Sequence, residues 1–175
     1  MTLSVKGAVA GAALMLVGAM STAQAQATPA TASITATATV AQALTAAKVR
    51  DLDFGATFGG IARTVLPTDV SSGEVTLTGG ANAEVTVSFT TLPAILTGPG
   101  VDIPLTYGAN AAAYNVAGTR AGATAFDPST GSTTRLNNAT GLLSIYLGGT
   151  VSPAANQVAG TYTNTINLSA AYTGN

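Results

Sequence analysis

Residues 161–172 read Thr-Tyr-Thr-Asn-Thr-Ile-Asn-Leu-Ser-Ala-Ala-Tyr, and their period decides the fold. Tyr162, Ile166, Leu168, Ala170 and Tyr172 fall on one face, against Thr163, Thr165, Asn167 and Ser169 on the other. A period of two is that of a strand with one side on a core and the other in water. Thr and Val, which favour strands, recur along the whole chain.

The same alternation continues upstream. Leu142 to Val151 places Leu143, Ile145 and Leu147 together, before Gly148-Gly149. Ala83 to Thr90 turns Val85, Val87 and Phe89 inward, and Gly73 to Thr78 pairs Val75 with Leu77. Leu44 to Phe54, the short Arg63 to Leu66, and Val101 to Tyr107 complete the set, with Gly, Asn, Asp and Pro between them. Residues 108–138 are rich in Ala, Gly, Asn, Ser and Thr and predict one or two short strands on a loop-rich edge. Residues 41–50 are the nearest candidate for a helix, but no cap precedes them and strand-like sequence flanks them. The expectation is an all-β sandwich without an internal domain boundary.

Composition removes most catalytic chemistry. The chain has 175 residues, a net charge of -1 and 7% charged residues, with no Cys, His or Trp. Thiolate nucleophiles, Cys-ligated zinc and His-based triads are therefore ruled out. Six basic residues cannot supply the clustered charge that nucleic acid needs. A composition 47% hydrophobic with so little charge is the reverse of the disordered signature. We expect no enzyme, no cofactor and no metal.

The first 27 residues predict a secretory signal peptide. Lys6 precedes an apolar run from Gly7 to Met20, and small residues then offer Ala23-Gln24-Ala25 and Ala25-Gln26-Ala27 for cleavage after 25 or 27. The run is too short and too rich in Gly and Ala for a membrane span. Directly after it, residues 28–41 form an N-terminal extension ahead of a domain at 42–175. Within the extension, Ala32 to Val40 alternates Ile34, Ala36, Ala38 and Val40 against Ser33, Thr35, Thr37 and Thr39. A strand cannot satisfy its own backbone groups. This one is either the first strand of its own sandwich or is added to a neighbouring copy. Head-to-tail addition does not close on itself and generates fibres.

Ala36-Thr-Ala-Thr-Val40, Asp51-Leu-Asp-Phe-Gly55, Gly73-Glu-Val-Thr-Leu77, Leu143-Ser-Ile-Tyr-Leu-Gly-Gly149 and Gly160-Thr-Tyr162, followed by an alternating terminal strand, come in an order that resembles a bacterial pilin-like family catalogued as a domain of unknown function. That family is similar in turn to chaperone–usher pilins and to the secreted pilins of spore-coat-protein-U type. Gly160 and Tyr172 stand where such pilins carry a Gly near the start of the last strand and a Tyr near its end. The resemblance implies an incomplete immunoglobulin-like, pilin-type β-sandwich, completed by a donor strand. Ile34, Ala36, Ala38 and Val40 would be the donor residues. Leu143, Ile145 and Leu147, with Ile166, Leu168, Ala170 and Tyr172, would line the acceptor groove. The implied partners are other copies of this chain or related subunits, with a periplasmic chaperone and an outer-membrane usher. The implied location is the periplasm and then the cell surface, in a fimbria serving adhesion or biofilm formation.

Other constellations read as structural. Asp51 and Asp53 have the look of edge charges that discourage strand pairing. Asp102, Asp127, Glu74 and Glu84 show no ligand spacing, and Gly55 to Gly60 lacks the Lys of a phosphate loop. A monomeric, self-complete secreted sandwich acting as a cell-surface or matrix binding module is the alternative reading. An eight-stranded outer-membrane barrel fits the length but lacks aromatic girdles.

Overall fold

The computed structural model describes residues 29–38, 40 and 42–174; the expected signal peptide and its cleavage sites lie outside the described residues. The chain divides into two units, Met1–Ala38 and Thr39–Asn175. In the first, residues 29–38 carry no strand and Ile34 is 96% exposed.

The second unit is all-β, with no helix among its described residues. Its strands are β1 (Thr45–Arg50), β2 (Arg63–Val65), β3 (Gly73–Thr78), β4 (Glu84–Thr91), β5 (Ile95–Leu96), β6 (Ile103–Thr106), β7 (Ala112–Asn115), β8 (Thr124–Phe126), β9 (Ser132–Arg135), β10 (Leu142–Leu147), β11 (Gly149–Val151) and β12 (Asn167–Tyr172). They form three sheets of order β1-β3-β10-β7-β8, β2-β11-β6-β5 and β12-β4-β9. Every pairing is antiparallel.

Register explains the core. β10 pairs with β3 so that Leu143 faces Leu77 and Ile145 faces Val75, which puts all four on one side of the five-stranded sheet. Val85 and Val87 on β4 answer from the three-stranded sheet, and Leu136 closes the layer. The two sheets thus enclose a sandwich core. A second cluster, Phe54, Val65, Ile103, Leu105 and Val151, sits under the four-stranded sheet. The chain passes from one sheet to the other between β10 and β11, at Gly148. A Cβ there would lie 2.1 Å from the Val65 carbonyl oxygen, so only glycine allows that approach.

One side of the sandwich is closed by the chain itself. β8 at the edge of one sheet runs into β9 at the edge of the other through the Asp127–Gly131 turn. The Asp127 carboxylate accepts from the Ser129 hydroxyl at 2.6 Å and its amide at 2.8 Å, and these bonds hold its pKa below the ordinary value. Phe126 fills the layer behind this turn, with ring centroids 6.4 Å from Phe89 and 6.1 Å from Tyr114.

The strand expected within Leu44 to Phe54 is β1, whose pairing with β3 overrides the helical propensity of residues 41–50. Elsewhere the strand reading differs from the structure in four places. Residues 161–166 alternate but are not a strand, apart from a single bridge from Thr163 to Thr97. Residues 108–138 hold three short strands, β7, β8 and β9, and β5 appears where none is expected. Ala32 to Val40 has no strand assignment among its described residues.

The outer face of the five-stranded sheet carries a polar strap that sequence periodicity does not reveal. Arg120, in the β7–β8 loop, donates to Glu74 Oε2 at 2.5 Å and to Ser72 Oγ at 3.2 Å. Its guanidinium also lies 4.9 Å from the centre of the fully buried Tyr146 ring. Arg120→Ala strips Glu74 of its partner in a largely desolvated site, so a loss on the order of 1–3 kcal/mol is expected in urea unfolding. Lys48→Ala, which breaks the exposed pair with Asp51, changes stability by no more than about 0.5 kcal/mol.

Candidate functional site

Opposite the closed side, the sandwich ends in two unpaired strand edges. Among the described residues β12 pairs only with β4, and β1 only with β3, so each has one row of backbone groups without a strand partner there. Alternation along β12 sets its faces: Leu168, Ala170 and Tyr172 are half-buried, while Asn167, Ser169 and Ala171 are exposed. Ile166, just before β12, continues the inward row.

Between these edges lies an open groove of about 790 Å³. One wall is Lys48 with residues 51–55, and the other is residues 160–166 with Leu168. Its floor is apolar, with Val75, Ile145 and Leu147 from the five-stranded sheet and Phe89 from the three-stranded one. Leu96, Ile103, Leu105 and Val151 extend the floor over the second cluster. Val75 and Phe89 sit in the middle of strands yet are only half-buried, because no described residue covers them on this side. Lys48 of β1 and Leu168 of β12 are the strand residues on its two walls, with the apolar floor beneath them.

Four of the seven residues expected to form an acceptor groove, Ile145, Leu147, Ile166 and Leu168, line it. Leu143, Ala170 and Tyr172 do not: Leu143 is fully buried in the sandwich core, and Ala170 and Tyr172 pack against that core beyond the end of the groove. Gly160 lies on the lining at the far end. Sequence reasoning missed Phe54, Phe89, Leu96, Ile103 and Leu105, which come from four separate segments with no spacing common to all. Of the four donor residues, Ile34 and Val40 are 96% and 94% exposed, and Ala36 and Ala38 are exposed as well.

The groove's few charges are committed locally. Lys48 Nζ lies 2.9 Å from Asp51 Oδ1, and Asp53 Oδ1 accepts from the Gly55 amide at 2.7 Å. Among the described residues no group of three acidic side chains gathers to hold a metal ion. Beside the second cluster, burial pushes the Tyr107 phenol from 10.0 up to about 12, and its oxygen has no hydrogen-bond partner among the described residues. The unfolded chain therefore gives up this proton first. The stability it contributes is complete below pH 10 and is lost as pH rises through about 12. The urea midpoint is expected to fall over this range in the native protein and less in Tyr107→Phe. At neutral pH the variant should match or slightly exceed the native stability, since an unpartnered hydroxyl is removed. Equal alkaline loss in both proteins would rule out this source.

Neither the protein-family models nor the curated proteins compared with this sequence match it. Fold and groove therefore carry the functional argument.

Proposed function

We propose that this protein is an exported structural subunit of a surface fimbria, assembled by donor-strand complementation and serving adhesion or biofilm formation. The observation that carries this reading is the open apolar groove between the unpaired edges of β1 and β12. The exposed, uncharged alternating segment at Ile34, Ala36, Ala38 and Val40 supplies a matching occupant. Each copy offers its segment to the groove of the next, so contacts run head to tail and a fibre grows. Ile145, Leu147, Ile166 and Leu168 receive the inserted side chains, and β1 and β12 supply the ladder on either side. The sandwich would be immunoglobulin-like and short of one strand. Its partners are copies of itself or related subunits, with a periplasmic chaperone and an outer-membrane usher covering the groove before assembly. The chemistry is structural rather than catalytic.

The test is electrophoresis of the purified processed protein in SDS, with and without boiling. A ladder of oligomers that collapses to one band on boiling is expected. A monomer band in both lanes, from a protein that unfolds cooperatively, would favour the self-contained binding module instead.

A further inference from the structure

We propose that Tyr172 is the end stop of the groove, and that it sets the register in which a strand from a second copy lies there. The inference rests on the strand-insertion reading above.

The Tyr172 phenol donates to the Gln42 carbonyl at 2.7 Å and accepts from the Gly80 amide at 2.8 Å. It therefore ties the end of β12 to the chain entering β1 and to the turn between β3 and β4. Tyr172, Leu44 and Leu136 all belong to the sandwich core at this end. A Cβ at Gly79 would lie 2.3 Å from the phenol oxygen, so the bare backbone at 79 makes room for it. An inserted strand needs roughly 4.7–4.9 Å on each side. Where one side chain spans directly from β12 to Gln42, no third backbone fits. The groove lining accordingly takes in Lys48 and Leu168 but neither Leu44 nor Tyr172. The slot is blocked at the Tyr172 end, so an inserted strand has to leave at the other end of the lining, towards Gly160.

Such a stop has a task to perform. A strand that slips by two residues keeps its buried face, and slippage is resisted only where side chains along that face differ. Here the face reads Ile34, Ala36, Ala38, Val40, with two identical small residues in the middle. Side-chain fit alone therefore specifies the register weakly. In the occupant, Val40 is joined within a few residues to that copy's own β1, so this end leaves through the Gly160 end of the slot. The Ile34 end runs up to Tyr172. Pro29, five residues earlier, lacks the amide needed to continue the ladder.

The chain has no cysteine, so introduced thiols are the only ones present. Full-length processed protein carrying Ser33→Cys, Thr35→Cys or Thr37→Cys is mixed with Ser169→Cys and oxidised, and cross-linked dimers are quantified. With Tyr172 in place, one donor position should exceed its neighbours about tenfold, the ratio that about 1.4 kcal/mol of preference gives. In a Tyr172→Ala background the neighbouring positions should rise to within about twofold of it, as register slips in steps of two. Tyr172→Phe keeps the packed ring while removing both hydrogen bonds. It should slip in the same direction to a smaller extent, and it carries the test if circular dichroism shows the alanine variant unfolded. An unchanged distribution in the folded variants, or several equal registers with Tyr172 present, would overturn the end stop while leaving strand insertion intact. No cross-link from any donor position would overturn strand insertion and the stop with it.

Discussion

Deleting residues 28–40 is expected to yield a folded sandwich that no longer assembles. Ile34 and Val40 are almost fully exposed, and the buried clusters, with Leu44 and Leu52 packed against them, all lie after the deleted segment. The described residues of the segment are all exposed, so the thermal midpoint should stay close to the native value, as for surface changes worth about 0.5 kcal/mol or less. Assembly should be lost altogether. Burying Ile34 and Val40 contributes roughly 1.5–3 kcal/mol each, and each ladder hydrogen bond adds about 1 kcal/mol net, here on two edges at once. Light scattering reads the assembly and circular dichroism the fold. An unfolded product would mean that the segment belongs to its own sandwich, and a truncated protein that still polymerises would end the donor role.

The second large effect lies in the core. Leu143→Ala is expected to cost about 2–5 kcal/mol in urea unfolding, the range for a fully buried leucine that leaves a cavity. Leu143 is wholly inaccessible in the centre of the sandwich, opposite Leu77 on β3. The same truncation at Leu168, half-exposed on the groove wall, should cost less stability and weaken assembly more. The two variants separate what holds the subunit together from what holds subunits to each other. If Leu168→Ala unfolded the protein as readily as Leu143→Ala, the groove wall would be part of the core.

These two leucines also show how far the sequence can be read. Both lie on alternating strands, and alternation reports which face is apolar but not whether another layer covers it. Leu143 is covered by β4 and Leu168 faces the gap, a distinction made by strand order and not by local pattern. The sandwich class was legible for the same reason that the groove was only half legible. β3 and β4 carry a clean period of two, whereas Phe54, Leu96 and the Ile103–Leu105 pair of β6 reach the groove from a loop and short strands with no spacing common to all. Residues 161–166 alternate as well as β12 does, yet they remain outside the sheet, because a strand also needs a neighbour to bond to. Arg120 had no signal at all: its partners Glu74 and Tyr146 are distant in sequence and come together only through pairing of β3 with β10.

The most direct test of the account is a high-resolution structure of the processed, assembled protein. It should place residues 32–40 of one copy between β1 and β12 of the next, with Ile34, Ala36, Ala38 and Val40 directed onto Ile145, Leu147 and Leu168. A structure in which each copy's leading segment fills its own groove, or in which the groove stays empty while copies meet elsewhere, would contradict it.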